Sequence, residues 1–209
     1  MLPFTLRQRE HSSAKLHLAR QAVTLLKPGE VLMIDGGSTT FHMGACLPSF
    51  PLRVITNSLH LATVLEERAR TQPSLEVYLT GGCLYPNSGL LVGPGAQSTV
   101  AQYHANWAFL SVGGVTQEGL FNTNELVVET ERRMIANADR VVVLADHSKI
   151  GQQAMCHVCG LDQIDYLITD AAAATADILA RFQDAGLTIV EVPSEPASAI
   201  SPTSKPPGR

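Results

Sequence analysis

The sequence predicts an α/β domain whose mostly parallel sheet carries helices on both faces. Strand-length apolar runs alternate with helical patterns along most of the chain, as βαβ crossovers require. The run Arg140-Val141-Val142-Val143-Leu144-Ala145 is almost wholly apolar and β-branched, as expected of a central strand buried on both faces. Several runs also end in small or polar residues, the composition of the ligand-bearing edge of such a sheet.

Taken in order, residues 1–13 read as an extended lead-in. From Ala14 to Leu26, the positions Leu16, Ala19, Val23 and Leu26 recur at helical spacing, and Pro28-Gly29 stops the helix. Strands follow at 31–34, 52–55, 75–79, 106–112, 140–145, 165–168 and 187–192. Helices fall between them at about 39–46, 58–70, 94–103, 124–138 and 175–184. The division is thus a lead-in (1–13), one α/β domain (14–192) and a tail (193–209) rich in proline and serine, expected to be disordered.

Bulk composition narrows the function classes. A chain of 209 residues with 45% hydrophobic side chains can bury a core without disulfides. Its four cysteines, Cys46, Cys83, Cys156 and Cys159, are irregularly spaced and suit reduced thiols in a cytoplasmic protein. No apolar stretch approaches the length of a membrane span, and the N-terminus lacks the apolar core of a signal peptide. A net charge of −4 argues against a broad basic surface for nucleic acid.

The segment Val31-Leu32-Met33-Ile34-Asp35-Gly36-Gly37-Ser38-Thr39-Thr40 is the most informative. A buried strand runs into a small, hydroxyl-rich turn, with a helix expected from about Ser38 to Thr40. Unpaired N–H groups at a helix start, the macrodipole and the hydroxyls suit an anion, most simply a phosphate. Two glycines would let it approach the backbone. An N-capped turn without ligand fits the same residues. Four other strand ends strengthen the phosphate reading: Thr56-Asn57-Ser58, Thr80-Gly81-Gly82, Gly113-Gly114 and Asp146-His147-Ser148-Lys149. If they converge, Lys149 would add a charged donor to the phosphate.

These residues also carry a family resemblance. Asp35 to Thr40, Val54-Ile55-Thr56-Asn57-Ser58, Leu79-Thr80-Gly81-Gly82 and Gly119-Leu120-Phe121 occur in this order, as do Glu131 to Ile135 and Val143 to Lys149. With the flanking Pro3-Phe4-Thr5-Leu6-Arg7 and Ile168-Thr169-Asp170, they resemble the C-terminal sensor domain of DeoR-type transcriptional regulators over nearly all but the tail. The resemblance implies a Rossmann-like fold, similar to ribose-5-phosphate isomerase and related sugar-phosphate enzymes. It implies that the domain senses a phosphorylated sugar or related metabolite, controls carbohydrate-metabolism genes, and forms a homo-oligomer. It implies phosphate at Gly36, Gly37, Ser38, Thr39 and Thr40, with Lys149 as counter-charge. Asn57 and Gly82 would line the sugar end, Asp35 would accept from sugar hydroxyls, and Asp146 would orient Lys149 or cap its loop. No metal, cofactor or membrane is implied. Such regulators ordinarily begin with a winged helix-turn-helix, and the residues before Ala14 are too few to form one, so DNA contact would need a domain absent from this sequence.

The alternative is a sugar-phosphate isomerase on the same fold. Ser111 to Thr116 offers no carboxylate for acid–base work, and the nearest, Glu118 and Glu125, read as solvated loop charges. Cys156-His157-Val158-Cys159 is half of a metal site at most and reads as a loop with incidental thiols. Trp107 reads as core or interface, and the charges of the helix from Glu129 to Ala138 read as a solvated face.

Overall fold

The computed structural model describes residues 3–170 and 175–193. Seven strands form a single parallel sheet in the order β12-β11-β9-β6-β1-β2-β3. They are β1 (Val31–Ile34), β2 (Leu52–Thr56), β3 (Leu75–Leu79), β6 (Ala105–Ser111), β9 (Ala138–Leu144), β11 (Tyr166–Asp170) and β12 (Thr188–Val192). Each corresponds to one of the expected runs. Along β1 and β6 the alternation decides which core each side chain enters. Leu32, Ile34, Trp107 and Phe109 join one core with the helices α2 (Ser12–Val23), α3 (Met43–Cys46) and α4 (Leu59–Ala69). Met33, Ala108 and Leu110 join the core on the opposite face, beneath α5 (Pro94–Val100) and α6 (Glu125–Ala136). The helix α7 (Ala176–Asp184) covers that second face further along, through Leu179 and Phe182 against Val143 and Leu167. Both faces are therefore covered, as the sequence predicts.

Three features depart from the expectation. The lead-in is not extended: α1 (Phe4–Arg9) is helical, and His11, in the left-handed region at φ 50°, joins it directly to α2. Phe4 holds α1 down by stacking on His60 at 4.2 Å and meeting Phe41 edge-on at 5.3 Å. The second departure is a three-stranded antiparallel sheet of β7 (Gly114–Thr116), β8 (Gly119–Asn122) and β10 (Cys156–Cys159). The Cys-His-Val-Cys stretch is thus a strand paired to β8 and not a loop. Gly119, at φ +125°, makes the tight β7–β8 turn, and a Cβ there would lie 1.9 Å from the carbonyl of Cys159. The third is a hairpin of β4 (Cys83–Tyr85) and β5 (Leu90–Val92). The expected tail lies, beyond Pro193, outside the described residues. Among the described residues no helix is long and apolar enough to cross a membrane.

Trp107 is core, at 7% exposure, with its indole N–H donated to Glu30 at 3.0 Å. The largest fully buried side chain of the central strand is Phe109, between Ile34 and Val142 in the ladder. Phe109→Ala should cost about 3–5 kcal/mol of unfolding free energy in a denaturant titration. A loss below about 1 kcal/mol would show that the sheet centre is not packed as described.

Candidate functional site

Four neighbouring strands, β9, β6, β1 and β2, carry their C-terminal turns to one place. There a cavity of about 240 Å³ is lined by Asp35, Gly36, Gly37, Ser38, Thr39, Asn57, Ser111 and Lys149, among others. Seven of the nine expected site residues are therefore brought together: Asp35, Gly36, Gly37, Ser38, Thr39, Asn57 and Lys149. Thr40 is buried behind the turn and does not line the cavity. Gly82 lies outside it as well. It follows β3, the edge strand, and its backbone packs at φ +109° against Val92 and Ala96, where a Cβ would meet the Val92 carbonyl at 2.7 Å.

Asp35 is fully desolvated and works inward. Its Oδ1 accepts from the Thr40 hydroxyl (2.5 Å) and the Gly37 amide (3.2 Å), and its Oδ2 accepts from the amide (2.9 Å) and hydroxyl (3.0 Å) of Ser111. Both oxygens are committed to the fold, so Asp35 shapes the turn and does not await a sugar hydroxyl. Burial pushes its carboxyl pKa up, and the hydrogen bonds from Thr40, Ser111 and Gly37 oppose that shift. The glycines also serve packing. A Cβ on Gly36 would lie 1.9 Å from Leu90, and one on Gly37 would lie 1.4 Å from the Ser111 hydroxyl. The helix after the turn is short, a 3-10 turn at Thr40–His42 followed by α3, so its dipole is weaker than the sequence suggests. No acceptor among the described residues takes the N–H of Ser38 or Thr39.

The cations come from two directions. Asp146 caps the 3-10 turn that carries Lys149, accepting from the Ser148 amide at 3.0 Å, as expected. Asp170, at the end of β11, fixes the same turn through the His147 amide and Nδ1, each at 2.6 Å. Lys15 was missed in the sequence. It is 3% exposed, lines the cavity, and donates to the Arg7 carbonyl (2.6 Å) and the Ser38 hydroxyl (3.2 Å). Burial pushes its ammonium pKa down; Asp146 opposes this and nearby Lys149 adds to it. Neither lysine has an ion-pair partner among the described residues. Arg7 and Glu10 of the N-terminal segment line the cavity too.

The second residue missed is Glu131. It does not belong to a solvated face, although its neighbours Arg132 and Arg133 do. At 2% exposure it lines the cavity and accepts from Asn122 Nδ2 at 2.7 Å. Burial, with Asp35 nearby, raises its carboxyl pKa well above the usual range. The sequence did carry a signal for both residues. Lys15 shares a helical stripe with Leu18, Ala19 and Ala22, and Glu131 shares one with Val127, Val128 and Met134. A charge inside an apolar stripe marks a buried polar role. Glu118 and Glu125 are exposed and do not line the cavity. Among the described residues no group of three or more His, Cys, Asp or Glu is placed to hold a metal ion.

Two stability measurements follow. Asp35→Asn puts an amide donor among four donors and should lower unfolding free energy by about 1–3 kcal/mol; an unchanged value would refute the anchoring role. Glu131 holds its proton more tightly folded than unfolded, so its contribution is complete below its ordinary pKa of 4.5 and is lost as pH rises toward the raised folded value. The Tm of Glu131→Gln should therefore gain on the wild type steadily between about pH 5 and 8. Parallel pH profiles would contradict the assigned burial.

Comparison with known proteins identifies the family. Residues 10–171 match the family model described as the DeoR C terminal sensor domain. The chain is 34% identical over 191 residues to the HTH-type transcriptional regulator UlaR of Escherichia coli K12/DH10B, covering 91% of this chain and 73% of UlaR. Its fold resembles that of a probable sor operon regulator from Shigella flexneri, with TM-score 0.52 and 12% identity over 81% of this chain and 88% of that one. Ribose 5-phosphate isomerase A of Methanocaldococcus jannaschii also aligns, with TM-score 0.47 and 21% identity over 66% of this chain and 54% of the enzyme. The sequence match extends through the turn after β1, the capped lysine loop and α6, and on it the chain belongs to the DeoR family, as its C-terminal sensor domain.

Proposed function

We propose that this sensor domain binds a phosphorylated sugar, or a closely related metabolite, noncovalently in the cavity at the carboxyl edge of its sheet. The phosphate would sit against the Gly36–Thr39 turn between Lys15 and Lys149, with the remainder of the ligand toward Asn57. The observation that carries this reading is that Lys15 and Lys149 both line the cavity and neither forms an ion pair among the described residues. Two like charges held at a partly buried site are stabilised by an anion placed between them. The unclaimed amides of Ser38 and Thr39 supply further donors to the same place.

A noncatalytic role follows from the carboxylates. Asp35 is occupied by the fold, and Glu131 is the one buried carboxylate of the cavity with an oxygen to spare. An isomerase needs an acid and a base disposed about the open-chain sugar. Control of carbohydrate-metabolism genes, a cytoplasmic location and self-association belong to the same reading and rest on family kinship. Contact with DNA would fall to a helix-turn-helix region outside these 209 residues.

A sugar phosphate at about 100 times its Kd should stabilise the domain by about 2.7 kcal/mol, near 5–10 °C in Tm, while the free sugar should not. Lys15→Met, or Thr39→Val with Lys149→Ala, should remove most of that shift. Equal shifts from free sugars, or no shift across a panel of phosphate esters, would sink the reading. Turnover of any aldose phosphate to its ketose would replace it with the isomerase.

A further inference from the structure

The helix α1 is held by elements that wall the cavity. A helix of six residues cannot sustain itself in water, and Phe4 is the one buried side chain of α1, while Leu6 is exposed. Phe4 rests on His60 and on Phe41, which directly follows the turn after β1. Its amide donates to the Asn87 carbonyl at 3.1 Å, in the β4–β5 hairpin whose Leu90 lines the cavity. Toward the other end of α1, the Lys15 ammonium donates to the Arg7 carbonyl at 2.6 Å and to the Ser38 hydroxyl at 3.2 Å. The side chains of Arg7 and Glu10 line the cavity, and the Arg7 guanidinium lies 5.7 Å over the Phe4 ring. His11, at φ 50°, makes the junction with α2 in a conformation that is costly for a residue other than glycine.

We propose that α1 is a latch closed by the ligand: an anion held among Arg7, Lys15 and Lys149 clamps the helix onto the cavity, and an empty cavity lets it swing about His11. Like charges gathered at one cavity oppose the closed position until an anion enters. Burial, then Lys149 and Arg7, push the Lys15 ammonium pKa down against the pull of Asp146 and Glu10. The anion therefore binds the closed position more tightly than the open one, the differential affinity that a conformational shift requires. By linkage, loosening α1 weakens the ligand by the same factor. Any segment joined ahead of Pro3 is joined through α1, so the latch turns occupancy of the cavity into the direction in which the chain enters the domain. The clamp rests on the phosphate reading above; the seating of α1 by Phe4 and Lys15 does not.

The test is hydrogen exchange, read by mass spectrometry on the full chain, with inorganic phosphate and ribose 5-phosphate as probes. Calorimetry on the same samples measures whether each probe binds. A bound probe should slow exchange of the α1 amides about tenfold or more, beyond any change in β1 and β6. In the ligand-free chain, Lys15→Met should speed the same amides about tenfold and leave β1 and β6 unchanged. Phe4 does not line the cavity, so Phe4→Ala separates seating from ligand contact. It should speed α1 exchange and weaken the probe several-fold. A probe that binds without slowing α1 overturns the latch and leaves the phosphate reading standing. A folded Phe4→Ala with fast α1 exchange and undiminished affinity overturns it too, as does a Lys15→Met chain whose α1 exchanges at the wild-type rate. Should Phe4→Ala not fold, Phe4→Leu takes its place under the same criterion. If neither probe binds, the phosphate reading fails and the clamp falls with it.

Discussion

The carboxylate of Asp35 is the constraint on which the site depends. It stands one residue beyond β1 and gathers donors from its own turn and from the end of β6. These bonds hold Thr40 and Gly37 in a fixed relation to Ser111, so the turn and the neighbouring strand end form one rigid wall. Without them, the backbone from Gly36 to Thr39 would be an ordinary connection of variable shape. A carboxylate that accepts several hydrogen bonds in a water-poor place is strongly directional, and it transmits that direction to the amides around it.

The charges of the cavity are arranged by different parts of the chain. Lys149 arrives on a short turn capped by Asp146 and tied to β11 by Asp170. Lys15 arrives on α2, with its ammonium against the carbonyl of Arg7 and the hydroxyl of Ser38. It therefore touches both the turn after β1 and the helix α1 that precedes it. His11 joins the two helices in a left-handed conformation and meets the His147 ring edge-on at 5.2 Å. The N-terminal segment and the Lys149 turn are in this way mechanical neighbours around one cavity.

The strands of the main sheet were legible because each buries a whole face, and burial leaves a composition that sequence retains. The turn after β1 and the lysine turn after β9 were legible for a similar reason, since polar residues cluster at strand ends. Strand order was not legible, and that is why Gly82 was misplaced: its motif looks like the others, but β3 is the sheet edge and the cavity lies further in. The strands β4, β7 and β10 span three or four residues each and pair across the chain, so no local period announces them. The helix α1 forms through the contacts of Phe4 with Phe41 and His60, which are invisible to any window of six residues. Lys15 and Glu131 were hidden by the habit of assigning charges to solvent, when their positions within apolar stripes said otherwise.

The two glycines of the first turn have a wider meaning. Gly36 has no room for a side chain because of Leu90, and Gly37 has none because of Ser111. Neither exclusion involves a ligand. The two glycines of the signature therefore answer, in this chain, to packing against Leu90 of β5 and Ser111 of β6 whether or not a ligand is bound. A descendant that had abandoned its effector would keep the glycines and be free to lose the lysines. On the proposed phosphate reading, the ammonium groups at positions 15 and 149 are the letters that would sort responsive sensors from silent ones, while the two glycines answer to packing in this fold.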